Sequence, residues 1–158
     1  MFVIRELTDQ DIPEAARLLK NMWMSHVAEE PRLLDHDYIN NYDTVGYITK
    51  YSKDPNHQIF VATAGEKVVG VARVEIQEFD DMHNFKKLAY FDDLVVSPGH
   101  QRQGIASALT DKRIQWAKDK GIAVCQSKIY AFNEPAQKLA EKHGFEDIYH
   151  FYYNFLDN

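Results

Sequence analysis

The fold of this chain is decided by residues 88–106, which spell LAYFDDLVVSPGHQRQGIA. Apolar, aromatic and β-branched side chains dominate the first half of this stretch and predict a strand that ends at Val96. Pro98 and Gly99 then predict a turn, and a helix is expected from Gly104 to residue 120. A helix N-terminus presents unpaired N–H groups and the positive end of the helix dipole. The stretch therefore predicts a strand, a turn and a helix arranged around a bound anion.

Small residues at the start of this helix favour close contact between a ligand and the backbone. Gly104 and Ala106 leave room for a bulky anion, and Arg102 adds a positive charge beside it. The sequence lacks the Gly-Lys-Ser/Thr ending of a P-loop. It also lacks the third glycine and the early acidic partner of a Rossmann fingerprint. We therefore expect an anion site that differs from both of these nucleotide-binding motifs.

The remaining elements follow from hydrophobic periodicity and turn residues. Strands are predicted over residues 2–7, 59–63, 68–77, 122–130 and 145–156. Three further helices are predicted. The first begins at Thr8, where Asp11 completes a capping box. The second covers residues 37–51 with an interruption at Gly46, and the third covers residues 135–143. Turns are predicted at residues 54–56, 64–67 and 80–84. This order predicts an α/β or α+β fold in a single domain spanning residues 1–158, with one sheet that carries helices on its faces.

Composition and charge narrow the possible classes of function. The 158 residues are 45% hydrophobic and 27% charged, a mixture that supports one globular domain rather than a disordered chain. The formal net charge is −6, which argues against nucleic acid and anionic membranes as main partners. An acidic surface is compatible with a cationic substrate.

The single cysteine, Cys125, rules out an intramolecular disulfide and favours a reducing, cytoplasmic location. The first residues lack the apolar segment of a signal peptide, and no apolar run is long enough to span a bilayer. The seven histidines follow no metal-binding spacing, and one cysteine cannot form a cysteine-rich zinc site. We therefore expect a cytoplasmic protein without a metal ion.

Two short motifs connect the helix entry with a later part of the chain. The residues that match the first motif, Q/R-x-x-G-x-G/A, are Gln101, Gly104 and Ala106. Residues 92–98 before it are acidic and then apolar, and a second motif, N-x-x-A followed by G-F, occurs at residues 133–136 and 144–145. With these motifs, and with a strand and helix over residues 4–19, the chain resembles the GNAT (Gcn5-related N-acetyltransferase) superfamily over nearly its whole length.

This resemblance implies a fold and a ligand. The fold is a mixed, mostly antiparallel sheet of about six to seven strands flanked by about four helices. The ligand is acetyl-CoA as a co-substrate, with its pantetheine in a V-shaped opening between the fourth and fifth strands. The implied cofactor-binding residues are Leu94, Val95, Val96, Gln101, Arg102, Gln103, Gly104, Ile105, Ala106, Ser107, Asn133 and Ala136. Many members of the superfamily are dimers, so the resemblance is also compatible with a homodimer.

One departure from the family pattern concerns the general acid. Members often carry a tyrosine seven residues after the motif asparagine, where it protonates the CoA sulfur, but this chain has Ala140 there. A thiol with a pKa of about 8.5 is a fair leaving group, so CoA can also depart as the thiolate or through water. Tyr130, close in sequence to Asn133, is the candidate substitute.

Asp92 is the candidate general base, at a position that resembles a glutamate used by polyamine-acetylating relatives. Strand alternation places Asp92 and Asp93 on opposite faces, so only one of them is expected to reach the substrate. An aspartate with an ordinary pKa is a weak base near neutrality, so burial or the neighbouring Asp93 must raise the pKa of Asp92. Asp93, Glu75 and an activated water remain alternative bases.

The resemblance leaves the acceptor open. The first hypothesis is an N-acetyltransferase that acts on a primary amine of a small molecule by direct attack on the thioester. The alternatives are a protein or peptide N-acetyltransferase and a non-catalytic CoA-binding sensor, the latter suggested by Ala140. Acidic residues lie where members vary their acceptor loops and would attract an ammonium group. These residues are Glu29, Glu30, Asp35 and Asp37.

Overall fold

The computed structural model of the protein describes residues 1–80 and 82–156. These residues form the strands β1 (Val3–Glu6), β2 (His57–Ala64), β3 (Lys67–Glu78), β4 (Lys87–Val96) and β5 (Cys125–Ser127). They also form the α-helices α1 (Ile12–Glu29), α2 (His36–Asn41), α3 (Thr44–Ser52), α4 (Ile105–Asp119) and α5 (Glu134–Lys142). Short 3₁₀ turns at Asp9–Asp11 and Pro98–His100 precede α1 and α4.

The five strands form one mixed sheet in the order β1-β2-β3-β4-β5. Neighbouring strands are antiparallel from β1 to β4, and a turn at Gly65 joins β2 to β3. The last strand, β5, runs parallel to β4 and pairs with it only over Ala89–Phe91. The predicted α/β class is therefore confirmed, with a sheet of fewer strands than expected.

Helices cover both faces of the sheet because strand side chains alternate between the two faces. On one face, Phe60 and Ala62 of β2 pack with Leu109 and other residues of α4. On the opposite face, Ile59 and Val61 pack with apolar residues of α1 and α3. The result is a three-layer arrangement in which the open end of β4 lies between helices.

Two predicted strands differ from the structure. The strand expected over residues 122–130 is restricted to Cys125–Ser127, because β4 and β5 separate beyond that point. The strand expected over residues 145–156 is absent; those residues are described but form neither helix nor strand. Tyr149 and Tyr152 are 73% and 91% exposed, so they do not pack inward. Aromatic residues favour a strand only when a neighbouring strand is available to pair with them.

The helix predicted over residues 37–51 is two helices, broken at Tyr42 rather than at Gly46. Asp43 caps α3 by accepting a hydrogen bond from the Gly46 N–H at 2.9 Å, and a side chain at position 46 would collide with the Asp43 carboxylate. The capping box at Thr8 is confirmed, since Asp11 accepts the Thr8 N–H at 2.7 Å. Position 81, inside the predicted turn over residues 80–84, lies outside the described residues.

Candidate active site

Separation of β4 from β5 creates a cleft through the sheet. The strands pair as far as Phe91 and Ser127 and then diverge, and the space that opens, here called the β4–β5 cleft, has a volume of about 220 Å³. It is lined by Met22, Trp23, His26, Phe91, Asp92, Asp93, Leu94, Thr110, Arg113, Ser127, Lys128, Ile129, Tyr130, Asn133, Ala136, Leu139, Ala140 and Phe145. The sequence-predicted residues Asp92, Leu94, Tyr130, Asn133 and Ala136 thus meet in one cavity.

The backbone of β4 offers hydrogen-bonding groups to this cleft. The Ser97 N–H donates a hydrogen bond to the Val69 carbonyl oxygen of β3 at 2.8 Å. The backbone groups of Ser97 therefore point toward β3. Because this direction alternates along a strand, Val95 faces β3, whereas Leu94 and Val96 face the open edge. The side-chain amide of Gln101 lies 3.4 Å from the Val96 carbonyl oxygen. Among the three predicted β4 residues, Leu94 and Val96 are therefore the ones with backbone groups free to bind a ligand.

The turn before α4 has the backbone geometry of an anion site. Arg102 and Gly104 both adopt a positive φ, of 58° and 85°, which folds residues 101–104 tightly ahead of the helix. The N-terminus of α4 has no side-chain cap, so its first N–H groups lack the partner that a capping residue normally supplies. The Ile105 side chain is only 1% exposed and belongs to the core, so Ile105 can contribute only its backbone N–H.

Further polar groups surround this helix entry. The Ser107 hydroxyl lies 3.3 Å from Lys142 Nζ and 3.2 Å from His143 Nε2. Lys142 therefore adds a cation from α5, and Arg102 and Gln103 of the turn are exposed. Uncapped N–H groups flanked by cations fit the pyrophosphate of CoA, because they match its charge and its hydrogen-bond acceptors.

The expectation that Asp92 and Asp93 face opposite sides of the sheet is wrong. The pairing of β3 with β4 shifts between Ala72 and Val74, which is a β-bulge opposite the two aspartates. Strand alternation is interrupted at such a bulge. Both carboxylates consequently contact one side chain, Arg73 of β3, which is 4% exposed.

Arg73 also holds polar groups outside the cleft. Its Nη1 atom donates to Glu75 at 2.7 Å and lies 3.0 Å from His57 Nδ1. Burial raises the pKa of Glu75, but hydrogen bonds from Gln77 and Arg73 outweigh it and the net shift is downward. Glu75 does not line the cleft. A lowered pKa and this position make Glu75 a poorer base than Asp92.

Asp93 has the partners of a structural carboxylate. It is 5% exposed and accepts hydrogen bonds from Trp23 Nε1 at 2.9 Å and from the Tyr47 hydroxyl at 2.8 Å. Arg73 Nε provides a third donor at 3.3 Å. With these three donors Asp93 is fully engaged, and it ties α1, α3 and β3 to the base of the cleft.

Asp92 has the properties expected of a base. Its side chain keeps 40% of its surface exposed, so an amine or a water can reach it even though protein atoms crowd it on its other sides. Burial and the adjacent charge of Asp93 raise the pKa of Asp92 to about 6, against the opposing effect of Arg73. The direction is the one that a general base near neutrality needs.

The position of the missing tyrosine, Ala140, lies in the same cleft as Tyr130. The Tyr130 ring stacks on Phe132, with ring centres 5.0 Å apart, and burial raises its pKa. Asn133 caps α5, since its side-chain oxygen accepts the Ala136 N–H at 3.2 Å. Tyr130 and Ala140 thus line the same cleft, and the Asn133 amide nitrogen has no protein acceptor among the hydrogen bonds of the described residues.

Sequence reasoning did not single out several charged or polar residues of the site. Trp23 of α1 packs against the core and also donates its indole N–H to Asp93. Arg73 interrupts the apolar strand run 68–74, and Arg113 interrupts the apolar stripe of α4. A charge inside an apolar pattern is the signal that could have identified both arginines.

The open strand edge, the cleft and the uncapped helix entry are features expected of a CoA-dependent acyltransferase. The model of the Acetyltransferase (GNAT) family matches residues 17–145. The chain belongs to this family, and it is therefore an N-acetyltransferase by class. A comparison with curated proteins found no match.

Solved structures share the fold at low sequence identity. A tetramutant of the BH1408 protein from Bacillus halodurans is 20% identical with a TM-score of 0.86, covering 98% of this chain and 99% of that one. The aminoglycoside N-acetyltransferase AAC(6')-Iy in complex with CoA is 18% identical, with a TM-score of 0.78 and coverage of 99% and 95%. A predicted acetyltransferase with acetyl-CoA from Clostridium acetobutylicum is 15% identical, with a TM-score of 0.75 and coverage of 98% and 96%.

Within residues 1–80 and 82–156, no helix is both long and apolar enough to cross a bilayer. In the same residues, no group of three or more His, Cys, Asp or Glu side chains is arranged to hold a metal ion.

Proposed function

We propose that the protein transfers the acetyl group of acetyl-CoA to a primary amine of a small molecule by direct attack on the thioester. The observation that carries this proposal is the position of Asp92, a partly exposed carboxylate with a raised pKa, in the β4–β5 cleft next to the free edge of β4. Base and thioester-binding backbone are thereby close enough to act on one amine.

The protein holds the donor at two places. The N–H groups of Ile105, Ala106 and Ser107, with Arg102 and Gln103 nearby, bind the pyrophosphate. Leu94 and Val96 pair with pantetheine, and Asn133 and Ala136 bound the cleft on the α5 side. Acetyl-CoA supplies an activated acyl group whose thiolate is the leaving group.

In the reaction, Asp92 accepts a proton from the substrate ammonium, directly or through water. The amine nitrogen then forms a bond to the acyl carbon, and the backbone N–H of Val96 or Leu94 stabilises the oxyanion. The C–S bond breaks, and Tyr130 or water protonates the departing sulfur because Ala140 cannot. No covalent intermediate with the enzyme is required.

The lining of the cleft and the net charge of the protein support a small amine as the acceptor. Trp23 and His26 of α1 line the cleft beside Asp92, and the net charge of −6 favours a cationic substrate. The fold relative AAC(6')-Iy, an aminoglycoside N-acetyltransferase, supports a small polar amine as the acceptor.

The decisive experiment measures thiol release from acetyl-CoA with panels of polyamines, aminoglycosides, amino acids and peptides. We expect turnover with at least one small amine and its loss in Asp92→Asn. Turnover with peptides alone would replace the small-molecule acceptor with a protein one. CoA binding without turnover on any amine would identify a sensor instead.

We also propose that the protein works as a homodimer in the cytoplasm. Exposed apolar side chains concentrate in residues 148–156, beyond α5, where a second copy can cover them.

A further inference from the structure

His57, the first residue of β2, has a largely buried side chain outside the β4–β5 cleft. Only 11% of this side chain is exposed, and His57 is not among the residues that line the cleft. Its ring packs against Tyr51 of α3, with ring centres 4.3 Å apart. Its Nδ1 atom lies 3.0 Å from Nη1 of Arg73, the arginine that contacts Asp92. His57 is thus connected to the candidate base through one side chain.

The contact with Arg73 determines which ring nitrogen of His57 carries the proton. A guanidinium only donates hydrogen bonds, so Nδ1 must be the acceptor and is unprotonated. The proton of the neutral ring is then on Nε2, which faces the Asp54 carboxylate at 3.5 Å. Burial and the charge of Arg73 lower the pKa of His57. Lys50 of α3 also lowers it, whereas Glu75 and Asp54 raise it. The net lowering keeps the ring a neutral acceptor at neutral pH.

His57 is one of four acceptors around the Arg73 guanidinium. Nη1 also donates to Glu75 at 2.7 Å, Nε donates to Asp93 at 3.3 Å, and Nη2 contacts Asp92. Arg73 is only 4% exposed, so its N–H groups depend on protein acceptors. A buried N–H that loses its acceptor is unfavourable. The acceptors of Nη1 therefore hold the guanidinium against the pull of the two aspartates.

From these contacts we propose that His57 is a positioning residue for the general base: it accepts a hydrogen bond from Arg73 and thereby limits how strongly Arg73 binds Asp92. This inference rests on the proposed function, in which Asp92 removes the proton of the amine. His57 itself touches neither the amine nor the thioester in this arrangement. It acts from the other side of the guanidinium.

The direction of the effect follows from the acceptors that remain when His57 is replaced. The freed N–H of Arg73 then has carboxylates as its nearest acceptors. Asp93 already accepts three hydrogen bonds and Glu75 two. Asp92 keeps 40% of its side chain exposed and is the carboxylate with most freedom to move. Arg73 should therefore bind Asp92 more strongly, which favours the charged form of this carboxyl group and makes it a weaker base.

The test measures the titration of the Asp92 carboxyl group by carbon-detected NMR on the full chain, so that it does not depend on finding the acceptor. The Asp92 signal is the one that Asp92→Asn lacks. His57→Leu removes the acceptor, and we expect the Asp92 midpoint to fall by about half a pH unit or more below that of the parent. With an amine substrate, the rise of kcat/KM with pH should move down by the same amount.

His57→Asn is the matched variant, because its Oδ1 atom can accept the same hydrogen bond as Nδ1 of the ring. It should keep the parental Asp92 midpoint and pH profile. His57→Phe keeps a ring against Tyr51 without the acceptor and should behave as His57→Leu, so it tests the inference if His57→Leu does not fold. His36→Leu removes a histidine that is 63% exposed on α2 and should titrate as the parent.

Two results would overturn the proposal. One is an unchanged or raised Asp92 midpoint in the folded variant that lacks the acceptor. The other is an equal shift in His57→Asn and His57→Phe, because the hydrogen bond to Arg73 would then not be the cause.

Thiol release separates this inference from the proposed function. Turnover with an Asp92 midpoint that does not depend on position 57 would leave the acetyltransferase in place and remove the role of His57. A midpoint that shifts as expected, without turnover on any amine, would keep the coupling between His57 and Asp92 and remove the proposed activity.

Discussion

Asp92 lies where three electrostatic influences act on one carboxylate. Burial and Asp93 raise its pKa, and the contact with Arg73 lowers it. The balance, a pKa of about 6, means that Asp92 is protonated below this pH and becomes a base above it. Activity that depends on Asp92 should therefore rise through pH 6 and level off toward neutrality.

We predict that Asp92→Asn lowers kcat by about a hundredfold or more, the usual scale for a lost general base. Calorimetry should find nearly unchanged affinity for acetyl-CoA, because the pyrophosphate site and the free edge of β4 remain. The rise of kcat/KM through pH 6 should disappear. If Asp92→Asn keeps the parental kcat from pH 6 to 9 while Tyr130→Phe loses activity, the assignment is wrong and Tyr130 is catalytic.

Arg73 controls both aspartates, and its replacement should have two effects. Arg73→Met leaves Asp93 buried without its cation, and breaking a buried pair in this way costs about 3–5 kcal/mol of unfolding free energy. It also removes the influence that lowers the pKa of Asp92, so the rising limb of kcat/KM should move above pH 6. Denaturant unfolding and pH–rate profiles measure the two effects. Arg73→Lys keeps the charge and should shift the limb less; an unmoved limb in both variants would refute the coupling.

At the scale of elements, β4 and α4 could be predicted closely from the sequence. The strand predicted over residues 88–96 is Lys87–Val96, and the helix predicted over residues 104–120 is Ile105–Asp119. Local signals suffice there, because β-branched runs, turn residues and helical periodicity each act within a few positions. The bulge at the two aspartates could not be predicted, because it depends on how β3 pairs with β4.

The entry to α4 yields a prediction for Gly104. Its φ of 85° lies in a region that β-branched residues rarely adopt, although a Cβ there would meet no neighbouring atom. Gly104→Val should abolish CoA binding, because the turn must change conformation and expose a side chain to the ligand. Gly104→Ala should weaken binding less. Calorimetry on folded variants decides; parental affinity in Gly104→Val would refute the site.

Asn133 caps α5 through its side-chain oxygen. We predict that its amide N–H₂ group also contributes to acetyl-CoA binding. Asn133→Asp keeps an oxygen to accept the Ala136 N–H but removes the amide donor. We expect a stable variant with weaker acetyl-CoA binding by calorimetry. If binding and turnover equal those of the parent, Asn133 is only a cap.

The start of α1 depends on Asp11, whose carboxylate binds Arg5 at 2.6 Å and accepts the Thr8 N–H. The hydrogen bond from Arg5 lowers the pKa of Asp11 to about 2 from an ordinary value of 3.8. A lowered folded-state pKa stabilises the protein above pH 3.8, and the contribution is lost as the pH falls toward 2. Asp11→Asn should cost about 1–2 kcal/mol at pH 7 by urea unfolding. The difference from the parent should vanish near pH 2; a difference that does not change with pH would contradict it.

At the scale of the whole molecule, the sequence predicted the three-layer class but not the end of the chain. The aromatic run at residues 149–155 suggested a sixth strand, since β propensity is local. A strand also needs a partner, and β5 spans only three residues, Cys125–Ser127. The terminal segment instead contacts two cations. Lys128 lies over the ring of Phe151, and Arg32 lies over the ring of Phe155.

This segment leads to a prediction about assembly. Ile148, Tyr149, Phe151, Tyr152, Tyr153, Phe155 and Leu156 are all exposed, by 44% to 91% of their surface. Monomers rarely expose large apolar patches, and these seven side chains lie within nine successive residues. A symmetric dimer covers such a patch with the same patch of the second copy, so both copies gain equally.

We therefore expect a dimer in sedimentation equilibrium at micromolar protein concentration. The double substitution Phe151→Ser and Tyr153→Ser should shift the protein toward the monomer, because it removes two aromatic rings from the buried patch. Tyr38→Ser, which removes an exposed ring on α2, is the control and should leave the mass unchanged. A parent protein that sediments as a monomer throughout this range would show that residues 148–156 are not covered by a second copy.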